Sequence, residues 1–454
     1  MSAAFKLIEL PFPEFGYRDG PPPQAPVTEF RSRLGLIRDL IERERLTHLV
    51  IYGDREHFAN LAWLTNFDPR FEEALLIIRR DAKPLMLTGN ECESYLPISP
   101  LFVEGDLRAE RYQPFSLEDQ PRDDSRSLAE IFRDEAIDAH SRVGCVGWKS
   151  YAAEHMLDLP SYIVDELRFA AGYENVVCAT RAYLRHRVIA SAWDIAFFEW
   201  TNTLASEGMK RVLSALREGA RDHDLLEQAR YNGVPLSCHM NLKCGNNRIS
   251  LSSARGERVI RGARFACNIA YWGANCCRAG WAVASAEELP GNAGDYVEAF
   301  AGPYFLAMAE WFRRLRTGVT GAELFSAIGS RFGVFLNPGH LIHLDEWPGA
   351  PVYPGSTEVL VSGMVIQSDV IPSDPLYYSA RMEDSYALAD DSLRAELRQL
   401  APDVLTRAEA RSDFLRETLG VSVHESVLPL SNLPGIMPAF YLRPNLVFAA
   451  AQEA

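Results

Sequence analysis

The chain has 454 residues, 47% hydrophobic and 24% charged, with a formal net charge of −15. That length divides into two or three domains, with ample apolar material for buried cores. The acidic balance excludes nucleic acid and anionic membranes as partners, because both are held by basic patches. The eight cysteines (Cys92, Cys145, Cys178, Cys238, Cys244, Cys267, Cys276 and Cys277) contain no Cys-x-x-Cys pair, which argues against a structural zinc site. No secretory signal opens the sequence, and no apolar run reaches the roughly 20 residues of a membrane helix. A cytoplasmic chain with mostly buried, reduced thiols is therefore expected.

Residues 1–30 form a proline-rich arm containing Pro21-Pro22-Pro23. Over residues 30–47, Leu34, Ile37, Leu40 and Ile41 recur at helical spacing and predict an amphipathic helix. His48–Tyr52 and Glu73–Ile78 read as buried strands, and Asp81-Ala82-Lys83-Pro84 turns the second into Leu85–Leu87. Helices alternating with short apolar strands to about residue 180 predict a first α/β domain, 1–180, with a mainly parallel sheet. A long helical pattern runs from Arg181 to Arg217 and breaks near Glu207-Gly208. Strand signals then cluster at 235–285, helices at 292–331 and strands again at 334–388. Two strand blocks flanking helices fit a curved antiparallel sheet with helices outside it, in a second domain spanning 181–454. Residues 391–418 read as helical and 419–454 as an irregular tail.

Gly363-Met364-Val365-Ile366-Gln367-Ser368-Asp369, followed fourteen residues later by Glu383 in Arg381-Met382-Glu383-Asp384, carries the chemistry of the second domain. The two segments resemble the closing strands of the creatinase/prolidase/aminopeptidase P family, each of which presents a metal-binding glutamate. Phe58–Phe67 is similar to that family's Asn-x-x-Tyr-Leu-Thr-x-Phe segment, and residues 184–206 resemble its linker helix. The resemblance implies the pita-bread fold, here with a creatinase-like α/β domain in front, and a homodimer.

Metal-dependent members hold two divalent ions with two aspartates, one histidine and two glutamates. By resemblance the first aspartate is Asn268, in Gly262–Ile269, and the second is Ala279. The histidine is His340, or His343 after a small register shift, and the glutamates are Asp369 and Glu383. Three ligating positions survive of five, too few charged oxygens for two dications. No cofactor is expected; the alternative is one divalent metal at His340, Asp369 and Glu383, a chemically sensible set. Creatinase, the metal-free member, also has Asn and Ala at the aspartate positions. Its shuttle histidine would fall seven residues after Gly245, where this chain has Ser252, and His239 is the only local substitute. Asp345-Glu346-Trp347-Pro348 stands where many members have His-Glu-x-Pro, so Asp345 replaces a histidine.

The leading expectation is a hydrolase acting on a C–N bond of a small zwitterionic or cationic substrate, without the dinuclear centre. His340 and Glu383 would handle protons and Asp369 would orient water or substrate. Asn268, Asp345, His343 and Trp272 would line the substrate, with Arg278 and Arg248 gripping a carboxylate through paired hydrogen bonds. A thiol beside a guanidinium would have a lowered pKa, so Cys276-Cys277-Arg278 offers a nucleophile, against the simpler reading of small core thiols. Two further alternatives stand open: a mononuclear metal-dependent hydrolase, lyase or Xaa-Pro peptidase-like enzyme, and a non-catalytic binding protein on the same frame.

Overall fold

The computed structural model describes residues 4–18, 20–21, 24–122, 125–245, 249–329 and 335–451. The chain divides into two compact units, Ala25–Arg187 and a second made of Met1–Gln24 with Val188–Ala454. The sequence reading places the proline-rich arm with the first domain and ends that domain at 180. Instead strand β1 (Phe5–Glu9) pairs antiparallel with Arg443–Ala450, from Phe5↔Ala450 to Glu9↔Leu446. A partner more than 400 residues away leaves no local signature in the arm.

The unit Ala25–Arg187 contains β2 (His48–Gly53), β3 (Ala74–Arg79), β4 (Leu85–Thr88), β5 (Arg108–Arg111), β6 (Val143–Val146) and β7 (Val176–Cys178). They form one sheet in the order β5-β4-β3-β2-β6-β7. The β2–β6, β6–β7 and β4–β5 pairs are parallel, whereas β2–β3 and β3–β4 are antiparallel. The sheet is mixed rather than mainly parallel. The turn at Asp81–Pro84 is too short for a parallel crossover, which needs a dozen or more residues. The helix Val27–Arg43 buries Leu34, Ile37, Leu40 and Ile41, the stripe expected from their spacing.

The second unit holds two four-stranded antiparallel sheets. One contains β8 (Asn241–Lys243), β9 (Arg264–Tyr271) and β10 (Ala274–Trp281). The other contains β11 (Phe335–Leu341) and β12 (Val365–Pro372). Strands β13 (Arg381–Glu383) and β14 (Ser385–Leu388) flank Asp384 and divide between them; β15 (Val427–Pro429) completes the second sheet. The orders are β13-β10-β9-β8 and β11-β12-β14-β15. At the change of sheet the Ser368 amide donates to the Asp384 carbonyl (3.0 Å) and the Ser368 hydroxyl to the Met382 carbonyl (3.0 Å). This stitch sets Asp369 on β12 beside Glu383 on β13.

The helix Ala192–Ala215 packs against β9 and β10 and runs unbroken through Glu207-Gly208. Its break comes earlier, between Arg187 and Ala192. Gly208 is a contact residue: a Cβ there would stand 3.2 Å from Ile269 Cδ1 and 3.3 Å from the Ala229 backbone. Nor is the stretch after residue 419 irregular, since it supplies β15, β16 (Pro438–Phe440) and β17 (Arg443–Ala450). These strands pair with β14 and β1, so local periodicity could not announce them. Among the described residues no helix is long and apolar enough to cross a membrane. All eight cysteines are free, six of them buried.

Candidate functional site

Side chains alternate between the faces of a strand, so residues opposite one another in register share a face. Asn268 pairs with Cys277 and Cys277 with Glu383; Ala266 pairs with Ala279 and Ala279 with Arg381; Arg264 pairs with Trp281. Phe265, Cys267, Ile269 and Tyr271 alternate with these and face the core under the helix. The opposite face therefore carries Arg264, Ala266, Asn268, Asn275, Cys277, Ala279, Arg381 and Glu383.

His340 on β11, Asp369 on β12 and Glu383 on β13 converge on this face. All three are buried, and one ligating atom from each lies within 4.8 Å of the others. His340 Nδ1 lies 3.0 Å from the Leu341 carbonyl, which only an N–H can satisfy, and Nε2 faces Asp369 Oδ2 at 3.6 Å. Asn337 donates to the same Asp369 oxygen at 2.8 Å, while Asp369 Oδ1 is buried without a partner among the described residues. Asn275 Nδ2 donates to Glu383 Oε1 (2.9 Å) and also to Glu346 Oε1. One amide thus ties two glutamates together. Glu346 also contacts Cys238 Sγ (3.7 Å), to which Asn268 Nδ2 donates at 3.5 Å. Among the described residues Asn268 Oδ1 is buried without a partner.

The electrostatics follow from crowding charge in a dry space. Burial, then the charges of Asp369, Cys277 and Glu346, push the Glu383 carboxyl well above the usual range. Burial would also raise Asp369, but the His340 ring, the Arg381 charge and Asn337 outweigh it and hold this carboxyl below its ordinary value. Burial would lower His340, yet Asp369 and Glu346 raise it overall. Glu346 is raised, mainly by burial. The surroundings thus favour the charged forms of Asp369 and His340 and the neutral form of Glu383.

Several expected lining residues are elsewhere. Arg278 lies on the opposite face from Cys277, fully buried, and binds Asp384 at 2.8 Å. Its remaining donors go to the carbonyls of Ile436 (2.7 Å), Cys277 (2.8 Å), Leu433 (2.8 Å) and Glu383 (2.9 Å). It braces the site from behind and has no donor left for a substrate. His343 turns toward the helix Ala192–Ala215, with Nε2 3.6 Å from Asp194 and its ring edge-on to Phe198. Trp272 caps the β9–β10 hairpin, roughly 13 Å of strand beyond Asn268. Asp345 is buried in the loop after β11. His239 stands 3.4 Å from the Leu251 carbonyl, apart from the cluster. Arg248, with Asn246 and Asn247, lies outside the described residues. Of the two adjacent cysteines, Cys276 faces inward to Asp384 (3.6 Å) and Cys277 faces the site, 3.4 Å from Arg381 Nη1. Burial raises both thiols, so neither is an activated nucleophile.

Glu346, Asn275 and Cys238 are site residues that the sequence reading did not assign. Only Glu346 had a usable signal, its place beside Asp345 in the segment after His340.

The mixed α/β architecture with paired antiparallel sheets is the pita-bread fold. No protein-family model and no curated protein matches the sequence. Solved structures match the fold. A prolidase from Pyrococcus horikoshii OT3 is similar at a TM-score of 0.59 and 16% identity, over 79% of this chain and 95% of that one. The dipeptidase PepE from Mycobacterium ulcerans is similar at 0.62 and 16%, over 81% and 95%. The N-terminal domain of the FACT complex subunit SPT16 from Cicer arietinum (chickpea) is similar at 0.58 and 13%, over 80% and 95%.

Proposed function

We propose that the chain is a hydrolase that cleaves a C–N bond in a small zwitterionic or cationic substrate, using His340, Asp369 and Glu383 to move protons. The observation that carries this reading is the Asn275 amide shared by Glu346 and Glu383, beside an Asp369–His340 pair. General acid–base catalysis needs titratable groups whose surroundings drive them apart, and this cluster is built that way. Glu383, kept protonated by its neighbours, donates to the departing nitrogen. In its neutral form His340 takes a proton at Nε2 from the attacking water while Asp369 fixes the ring and balances the charge it gains, and that proton then returns to Glu383. Asn268 Oδ1, without a partner among the described residues, accepts from the substrate.

The fold shared with prolidases and dipeptidases fits a hydrolase of C–N bonds. Two dications do not fit the residues present, because Asn268 and Ala279 supply no anionic oxygen where the resemblance places aspartates.

A single metal does fit, and this second reading has its own support. The three ligand atoms lie within 4.8 Å, Asp369 Oδ1 lacks a partner, and His340 Nδ1 is satisfied by Leu341, leaving Nε2 to ligate. A divalent ion held by His340, Asp369 and Glu383 would polarise a substrate carbonyl and make bound water more acidic.

Ammonia or amine release from a panel of small amides, ureido acids and guanidino acids, before and after chelation, tests these readings. Turnover that survives EDTA and is lost in Glu383→Gln and His340→Ala supports the metal-free hydrolase. Loss on chelation, restored by one equivalent of Mn²⁺ or Zn²⁺, supports the mononuclear site. Full turnover in Glu383→Gln contradicts both, and ligand binding without turnover across the panel makes the chain a binding protein.

A further inference from the structure

Strand β9 begins with a guanidinium that the catalytic cluster does not use. Arg264 lies 4.9 Å from the ring centroid of Tyr378 and 5.9 Å from that of Trp281. Among the described residues no carboxylate pairs with it and no acceptor takes its N–H groups. Its neighbours are held firmly. The Trp281 indole donates to the Tyr377 carbonyl at 3.0 Å. Tyr378 has a left-handed backbone (φ 69°), fixed by two hydrogen bonds across Asp374↔Tyr378. An aromatic residue is strained there, and such strain persists only where surrounding structure imposes it. Here it keeps the phenol ring on the guanidinium.

The register supplies the geometry. Arg264 and Trp281 form one cross-strand row, and Ala266 and Ala279 form the next. Asn268, Cys277 and Glu383 form the third, all on one face. The middle row offers only methyl groups from β9 and β10, with Arg381 of β13 beside Ala279, between the Arg264 guanidinium and the group of carboxyls. Two-residue steps along a strand put the outer rows roughly 13 Å apart. Arg381 stands opposite Ala279 at the acidic end of the face, where Nη1 donates to Cys277 Sγ at 3.4 Å.

We propose that Arg264 is the carboxylate-binding residue of this site, receiving the anionic end of a zwitterion whose cationic end lies against Glu383 and Asp369. A guanidinium stacked on an aromatic face presents its edge pre-oriented, and that edge matches a carboxylate through two parallel hydrogen bonds. The inference rests on the hydrolase reading for the role of the acidic end. It assigns the specificity for zwitterions to a residue outside the proton-transfer group.

Calorimetric titration with glycine, β-alanine, 4-aminobutanoate, 5-aminopentanoate and 6-aminohexanoate, each beside its matched n-alkylamine, tests it. Wild-type protein should bind the best-fitting amino acid about tenfold or more tighter than the amine, as hydrogen bonds to a charged group provide. Arg264→Gln should erase that gain and leave amine affinity unchanged, with Arg264→Lys keeping part of it. Circular dichroism of both variants confirms an intact fold. Equal affinity of wild type and Arg264→Gln for the amino acids overturns the assignment. So does a wild-type protein that prefers none of them over its amine. Amine binding that is unaffected in Asp369→Asn counts against the hydrolase reading instead, since it concerns only the acidic end.

Discussion

Replacing Arg278 with methionine separates a bracing role from a substrate-binding one. The side chain and that of Asp384 are both fully buried, so their 2.8 Å ion pair is shielded from water and salt. Without the guanidinium, Asp384 keeps the Ser431 hydroxyl (2.6 Å) and a weak Cys276 contact. Four carbonyls, including those of Cys277 and Glu383, lose a donor. Breaking a buried pair from one side costs about 3–5 kcal/mol, because the stranded charge has no solvent to replace its partner. At about 2–4 °C per kcal/mol for a large domain, the melting transition should fall by roughly 6–20 °C. Differential scanning calorimetry at neutral pH reads this directly. The double variant Arg278→Met with Asp384→Leu removes the stranded charge and should recover at least half of the loss. A fall under about 2 °C for the single variant, or a double variant no more stable than the single, would refute the reasoning.

Glu383 gives a pH signature. Its folded pKa is raised and the unfolded carboxyl titrates near about 4.3, so its stabilising contribution is complete below that pH and is lost as pH climbs toward the folded value. Glu383→Gln lacks this loss, so its melting temperature relative to wild type should rise from about pH 5 to about pH 8; a flat or falling difference contradicts the assignment. Restoring both acids, Asn268→Asp with Ala279→Asp, should raise Mn²⁺ binding by about one ion per chain in equilibrium dialysis, since two charged oxygens return to the site face. Unchanged binding would mean that these positions do not face the cluster. Cys276 and Cys277, buried with raised pKa values, should resist a thiol-specific chromogenic reagent in the native state and react after denaturation.

Much of the site was legible because its residues sit in short segments that keep a recognisable form. His340, Asp369 and Glu383 come from three separate strands, yet each segment marked its own residue, and the structure brings all three together. What escaped depends on non-local pairing. Asn275 reaches Glu383 only because β10 lies against β13, and Arg264 shares the face of the cluster only through its register with Trp281. Alternation alone could have corrected Arg278: with Cys277 facing the site, the next residue on the strand faces away. The misread elements have the same cause. The tail after residue 419 gains its strands from partners far along the chain, and Gly208 serves a close contact rather than a helix end.

The central claim is that this face lacks the anionic oxygens to hold two divalent ions. Metal stoichiometry by plasma mass spectrometry, after saturation with Mn²⁺ or Zn²⁺ and desalting, tests it most directly. The account predicts at most one ion per chain, removed when His340 is changed to alanine. Two tightly held ions per chain in the wild type would contradict it.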